Sequence, residues 1–342
     1  APSMLIALGT ADGVLRLYER RLEEFPLLML GWRRRVLRTS ISKLAFSSDG
    51  AHLAIGGADG SMMVMELPAG GNEPLVLSHF ELPTAPSSIA WTAGGKLLLA
   101  MPDAKVLLFP GSEERGHTSA AETLASTPTI TLQSAAIDLV EAPASYSGAA
   151  GGGSVTIIAL CTDKSLHVYQ MPPKGSTATS IPTESYPAHD KEPMALTLSL
   201  DGAFVASVGQ DGLVVVRQVN SLSERTALGL HDSVLGGASC VCVVPDSSPA
   251  APEGSHIVYS CGMDGVMFMA TTRPSSGSET LLPIPRRPLK LVEVEDVPAV
   301  YGDEPQPVAV EEDEGEDAEP PDELTITEAT LIINAGTQEA SP

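Results

Sequence analysis

The sequence predicts a nearly all-β chain assembled from one repeated unit of four strands. Three observations carry that expectation. A hairpin signature, made of an apolar strand, an Asp-Gly turn and an alternating apolar strand, recurs six times in 342 residues. Its copies are spaced by about the length of a four-stranded unit. No stretch sustains an apolar period of about 3.6 residues between helix caps.

The copies read ALGTADGVLRLY at 7–18, AIGGADGSMMVM at 54–65, LLAMPDAKVLLF at 98–109, IALCTDKSLHVY at 158–169, ASVGQDGLVVVR at 206–217 and YSCGMDGVMFMA at 259–270. Asp-Gly between apolar runs is a hairpin signal because Gly accepts the positive φ of the turn. Four of the six copies keep that Gly. The marker aspartates Asp12, Asp59, Asp103, Asp163, Asp211 and Asp264 stand 47, 44, 60, 48 and 53 residues apart. That spacing is close to the roughly 40–50 residues of a propeller blade.

The other strands of each unit are also legible. ISKLAFSSDGAHLAIGG at 41–57 and MALTLSLDGAFVASVGQ at 194–210 place a Ser-x-Asp-Gly turn ahead of the marker hairpin. PSSIAWTAGGKLLLA at 86–100 does the same with Gly94-Gly95. EPLVLSH at 73–79 and RTALGLH at 225–231 read as short outer strands.

This pattern resembles the WD repeat over residues 4–285, with departures. The position six after the marker, Trp in that family, is Tyr18, Met65, Phe109, Tyr169, Arg217 and Ala270. The Gly-His that precedes a blade survives only as its His, at His79, His189 and His231. The resemblance implies a β-propeller in which His, Ser or Thr and the turn Asp form a structural hydrogen-bonded network. It marks His189 with Asp211 and His231 with Asp264 as the best pairs. It also implies a ring of seven blades, the last built from PLKLVEV (288–294), LTITEATLII (324–333) and strands from elsewhere. The expected organisation is a propeller over 1–292, an acidic Pro-rich linker over 293–323, and a β-prone segment over 324–342 that closes the ring or leads onward.

Charge narrows the function classes. The net charge is −23, and 14 Asp and Glu with no Lys or Arg lie between Glu293 and Glu323. Such a field repels phosphate backbones, so a nucleic-acid partner is not expected. No apolar run approaches the roughly 20 residues of a membrane span, and no secretory or transit signal is visible. Cys161, Cys240, Cys242 and Cys261 show no metal-ligand or disulfide spacing and read as reduced thiols of a cytoplasmic protein. Gly/Ser/Ala-rich stretches at 111–126 and 145–154, with a shorter one at 245–255, read as surface insertions.

One basic feature breaks the acidic background. WRRRVLR at 32–38 groups Trp32, Arg33, Arg34, Arg35 and Arg38, residue types that anchor protein contacts. It reads either as a partner contact or as a pairing site for the protein's own acidic segment. No GxSxG, HExxH, P-loop or helix-opening GxGxxG occurs, and GGADG at 56–60 leads into a strand. No catalytic residue, metal site or cofactor is therefore expected.

The expected function is a non-catalytic protein-interaction scaffold. Degenerate Trp positions, small-residue insertions and an acidic exit resemble the large cilia- and flagella-associated WD-repeat proteins. That likeness implies a place in an axonemal complex, with tubulin or dynein-regulating subunits as partners. The alternatives are an adaptor that recruits substrates or cargo to a ubiquitin ligase or trafficking coat, and a propeller hydrolase. The last requires His and carboxylates converging on the central channel.

Overall fold

The computed structural model describes residues 4–20, 28–67, 73–110, 127–146, 155–171, 177–179, 181–246, 254–272, 282–283 and 330–333. These form six sheets, antiparallel but for one added strand, arranged as a β-propeller. Sheet one contains β1 (Met4–Gly9), β2 (Val14–Arg20) and β3 (Leu28–Arg35); sheet two contains β4 (Ile41–Phe46), β5 (His52–Gly57), β6 (Ser61–Glu66) and β7 (Leu75–Glu81). Sheet three is β8 (Ser88–Trp91), β9 (Leu97–Ala100), β10 (Lys105–Phe109) and β11 (Thr129–Thr131). Sheet four is β12 (Ala136–Glu141), β13 (Thr156–Cys161) and β14 (Ser165–Gln170), completed by β16 (Glu184–Pro187), while β15 (Thr177–Thr179) runs parallel on β11.

Sheet five is β17 (Pro193–Leu198), β18 (Phe204–Gly209), β19 (Leu213–Gln218) and β20 (Thr226–Gly229). Sheet six is β21 (Ala238–Pro245), β22 (His256–Gly262), β23 (Met267–Thr272) and β24 (Leu282–Pro283). The last strand, β25 (Thr330–Ile333), pairs antiparallel with β1 and takes the innermost place in sheet one. A strand from the far end of the chain thus supplies what the first repeat lacks.

Each marker Asp opens the hairpin between the second and third strands of its sheet. Gly13, Gly60, Gly212 and Gly265 take the left-handed turn conformation at φ of 79, 90, 78 and 72°. Ala104 and Lys164 take the same conformation at φ of 62 and 68° where the other copies have Gly. A Cβ is disfavoured there, so the turn is imposed by the strands it joins.

Packing follows from the period-2 alternation of each strand. Ala7, Leu15 and Leu17 of sheet one meet Leu44, Leu53 and Met65 of sheet two. Met62, Val64 and Phe80 then meet Leu97, Leu99 and Phe109 of sheet three. Equivalent apolar layers join three to four, four to five and five to six. Each layer removes aliphatic surface from water at about 25 cal/mol per Å². Few aromatics are needed, because stacked sheets interdigitate Leu, Val, Ile and Met.

The expectation of seven blades is corrected to six among the described residues. Six marker hairpins make six sheets, and no described sheet stands between the sixth and the first. The linker at 293–323 lies outside the described residues, as do 288–294 and most of the three insertions.

Candidate functional site

The position six after each marker is a packing position whatever its chemistry. Met65, Phe109, Tyr169, Arg217 and Ala270 are all buried there, and only Tyr18 is half-buried. Phe109 stacks on Phe80 with centroids 4.1 Å apart. Arg217 is 4% exposed and lies over the Tyr186 ring, 5.6 Å from its centroid. Its guanidinium donates to the carbonyls of Leu222 and Pro187, the latter at 2.6 Å. Burial and then the nearby Arg225 lower its pKa to about 10, so it remains a cation at neutral pH.

Two histidines form matching networks. His189 Nδ1 lies 3.1 Å from Asp211 Oδ1, and its Nε2 lies 2.9 Å from Ser207 Oγ. His231 Nδ1 lies 3.1 Å from Asp264 Oδ1, and its Nε2 lies 2.9 Å from Ser260 Oγ. A carboxylate only accepts, so Nδ1 carries the proton and Nε2 accepts from the hydroxyl. Each Asp also accepts two backbone N–H groups, from Asp190 and Leu213 in one case and Asp232 and Val266 in the other. Every nitrogen and hydroxyl is engaged in holding the incoming loop against the marker hairpin.

A close backbone approach makes this possible. A Cβ on Gly209 would stand 2.8 Å from His189 Nδ1, and one on Gly262 would stand 2.3 Å from His231 Nδ1. Sheet three has Met101 at that position, and His79 does not join Asp103. His79 is instead exposed on β7 opposite Met63, while Asp103 pairs with Lys105. Met101 fills the space a ring would need, and Ala100 and Leu99 offer no hydroxyl. The remaining markers serve their own turns: the Thr10 hydroxyl donates to Asp12, and the Ser61 N–H donates to Asp59 at 3.0 Å.

The sequence reading missed two further histidines. His167 on β14 reaches Asp163 Oδ2 through Nε2 at 2.7 Å and Ser185 Oγ through Nδ1 at 2.7 Å. His256 on β22 reaches Asp201 Oδ2 at 2.7 Å, joining sheet six to the first turn of sheet five. Ser207 and Ser260 could have been found, since each stands four residues before its marker. His167 carried no such signal because it follows its marker Asp163 on the next strand, whereas His189 and His231 precede theirs.

Cys161, Asp163 and His167 stand close enough to share an ion. Their chemistry points to structure instead. Burial, with Asp163 nearby, pushes the Cys161 thiol up to about 12, and both His167 nitrogens already have protein partners.

Asp138 is the other residue that pattern reading did not reveal. It sits on β12, the innermost strand of sheet four, and accepts from Ser88 Oγ of sheet three at 2.5 Å. It also accepts from Leu139 N at 3.0 Å and Leu196 N of sheet five at 2.8 Å. One carboxylate thus ties three neighbouring sheets at their inner edges.

The arginine run lies on the outer edge of sheet one. Arg33, Arg34 and Arg35 end β3, the outermost strand of sheet one, and all three are exposed, as is Arg38. Trp32 is half-buried against the layer between sheets one and two. Arg34 Nη1 lies 3.2 Å from Glu73 Oε1, a solvent-facing pair worth little. Arg35 donates to the carbonyls of Leu37 at 3.3 Å and Arg38 at 3.2 Å, holding the chain as it leaves the strand. Arg33 and Arg34 are the cations this edge offers to a partner.

The WD domain, G-beta repeat family matches residues 32–64, which run from Trp32 through the second marker hairpin. No curated protein matches the sequence. Among solved structures 1450 chains match, so the architecture recurs too widely to select a function. One is a chain of the "Crystal Structure of Mitotic Checkpoint Complex", 13% identical with a TM-score of 0.53, covering 78% of this chain and 73% of that chain. At that identity the likeness shows the fold.

Proposed function

We propose that the protein is a non-catalytic interaction scaffold whose partner contact includes the outer edge of sheet one. The observation that carries this reading is the solvent-facing pair Arg33 and Arg34 on a rigid strand of an acidic protein. Guanidinium forks recognise carboxylates with defined geometry, so a partner with an acidic strip fits this edge. The titratable clusters support the same reading, because His189, His231 and His167 are engaged at both nitrogens.

The finer reading is a subunit of an axonemal complex in a cilium or flagellum, with tubulin or dynein-regulating subunits as partners. Its support is the resemblance of the degenerate Trp positions, the small-residue insertions and the acidic 293–323 stretch to that subfamily. The test is affinity purification from the native cell of the chain and of its Arg33→Glu/Arg34→Glu variant. The variant is expected to fold and melt like the parent and to lose partners that the parent retains. An unchanged set of co-purifying proteins overturns the assignment of this edge. Recovery of ligase or coat subunits in place of axonemal ones overturns the finer reading alone.

A further inference from the structure

The loops that lead into sheets five and six start alike and differ in length. His189 stands four residues before Pro193, the first residue of β17, and His231 stands seven before Ala238, the first of β21. Both histidines hold the same network, and Pro193 and Ala238 take the same register, opposite Gly209 and Gly262. The three additional positions therefore fall within 233–237, and they bring in two apolar side chains. Val234 is 88% exposed, more than any other large apolar residue described, and Leu235 is 58% exposed. Met263, 68% exposed, lies beside them on the turn between β22 and β23, where a Cβ on Gly236 would stand 3.0 Å from its Cβ.

The main chain of this loop is held on both sides. Asp232 N donates to Asp264 Oδ2 at 3.1 Å, Val234 N to Asp232 Oδ1 at 2.8 Å and Gly237 N to the Asp232 carbonyl at 3.0 Å. Met263 N donates to the Gly237 carbonyl at 2.9 Å, and a Cβ on Gly237 would stand 2.6 Å from the Gln210 main chain. Folding gains little from Val234 and Leu235, because hydrophobic stabilisation requires burial. A preorganised group of exposed apolar side chains serves contact with another molecule. Its border is acidic. Asp232 and Glu192 are exposed there, the latter accepting from Gln210 Nε2 at 3.4 Å. The Lys191 ammonium beside them already donates to the Ser233 carbonyl at 3.2 Å. With a net charge of −23 on the whole chain, the field at this loop favours cations.

We propose that Val234, Leu235 and Met263 form a docking surface for a segment of another protein in which apolar side chains are flanked by Lys or Arg. This rests on the scaffold reading above but not on the arginine edge, whose partner carries the opposite charge. One chain thus holds an acidic partner at sheet one and a basic one at the loop between sheets five and six.

The test is selection of a displayed library of random short peptides on the whole 342-residue chain at physiological salt. Enriched peptides are expected to combine apolar residues with Lys or Arg. Their affinity is expected to fall about tenfold or more in Val234→Ser/Leu235→Ser, whose urea midpoint stays that of the parent because both side chains face solvent. Glu192→Lys is expected to weaken them as well, and Arg33→Glu/Arg34→Glu to leave them bound. No enrichment, enrichment of acidic peptides, or affinity that survives Val234→Ser/Leu235→Ser overturns the proposal. So does binding lost in Arg33→Glu/Arg34→Glu, which assigns the peptides to the arginine edge. Self-association of the parent that Val234→Ser/Leu235→Ser abolishes overturns it too, because the loop then takes a second copy. An unchanged set of co-purifying proteins for the arginine variant alters none of these outcomes, so the two surfaces fail separately.

Discussion

The His189 imidazole donates from Nδ1 to the Asp211 carboxylate at 3.1 Å, with the two side chains only 0% and 7% exposed. The contact spans 22 positions and fastens the loop entering sheet five to the turn between β18 and β19. Removing either partner strands the other in a dry site. His189→Ala and Asp211→Ala are each expected to lower stability by about 2–3 kcal/mol. The double variant should lose about 1–2 kcal/mol less than the two losses added. Urea titration of the four chains measures this coupling. Full additivity would show that the two residues act independently.

The same pair gives a pH dependence of definite sign. Burial holds the His189 imidazole below its ordinary 6.5, against the pull of Asp211. The unfolded His therefore protonates first, and its contribution is complete above pH 6.5 and declines below it. Burial works to raise the Asp211 carboxyl, but the amides of Asp190 and Leu213 together with His189 hold it below its ordinary 3.8. Its contribution is complete above 3.8 and is lost as pH falls through the folded value. Asp138, pushed up by burial, acts with the opposite sign, so the comparison must be between variants. The stability advantage of the parent over His189→Gln is expected to shrink as pH falls from about 7 to about 5. Urea midpoints at each pH measure it, and a constant difference contradicts a neutral buried His189.

Four hairpins were legible because Asp-Gly encodes a local conformation, and the marker Asp with its flanking strand alternation located the other two. Position 217 was harder to read. Arg there looks like a surface residue, yet the slot is set by strand alternation, and the carbonyls that satisfy it come from Leu222, just after β19, and from Pro187 at the end of β16. The arginine run at 33–35 could be read as a surface feature, and on an outermost strand all three side chains are exposed even though neighbours alternate between faces. Trp32 accordingly lies against the core while Arg33 does not. His79 shows the limit of motif spacing: its distance from Asp103 resembles that of His189 from Asp211, but Met101 stands where Gly209 leaves room.

Asp138 tests whether one buried carboxylate joins three sheets. Its Oδ1 accepts from Ser88 and Leu139, while Oδ2 accepts from Leu196. Asparagine has one carbonyl oxygen, so its amide must face one of these backbone N–H donors. Asp138→Asn is therefore expected to cost about 2 kcal/mol, nearly as much as Asp138→Ala. Calorimetric melting of the two variants checks this. A fully stable Asn variant would mean that the carboxylate's second oxygen contributes nothing.

Ala104 offers a gain rather than a loss. It holds φ of 62° at the turn between β9 and β10, the place where four other repeats have Gly. A Cβ in the left-handed region costs roughly 1–2 kcal/mol, while a Gly there adds somewhat under 1 kcal/mol of unfolded-state freedom. Ala104→Gly is therefore expected to stabilise the protein by about 0.5–1 kcal/mol. The turn itself should not change, because Ala104 N donates to Met101 O at 3.2 Å and Leu132 N donates to Ala104 O at 2.8 Å, both main-chain contacts. The control is Ala58→Gly in sheet two, one position before the marker Asp59, where the φ is not positive and Gly only adds freedom to the unfolded chain. Opposite shifts in urea midpoint for the two glycine substitutions would locate the strain at the turn. A loss at Ala104 would mean that the strands impose no penalty there.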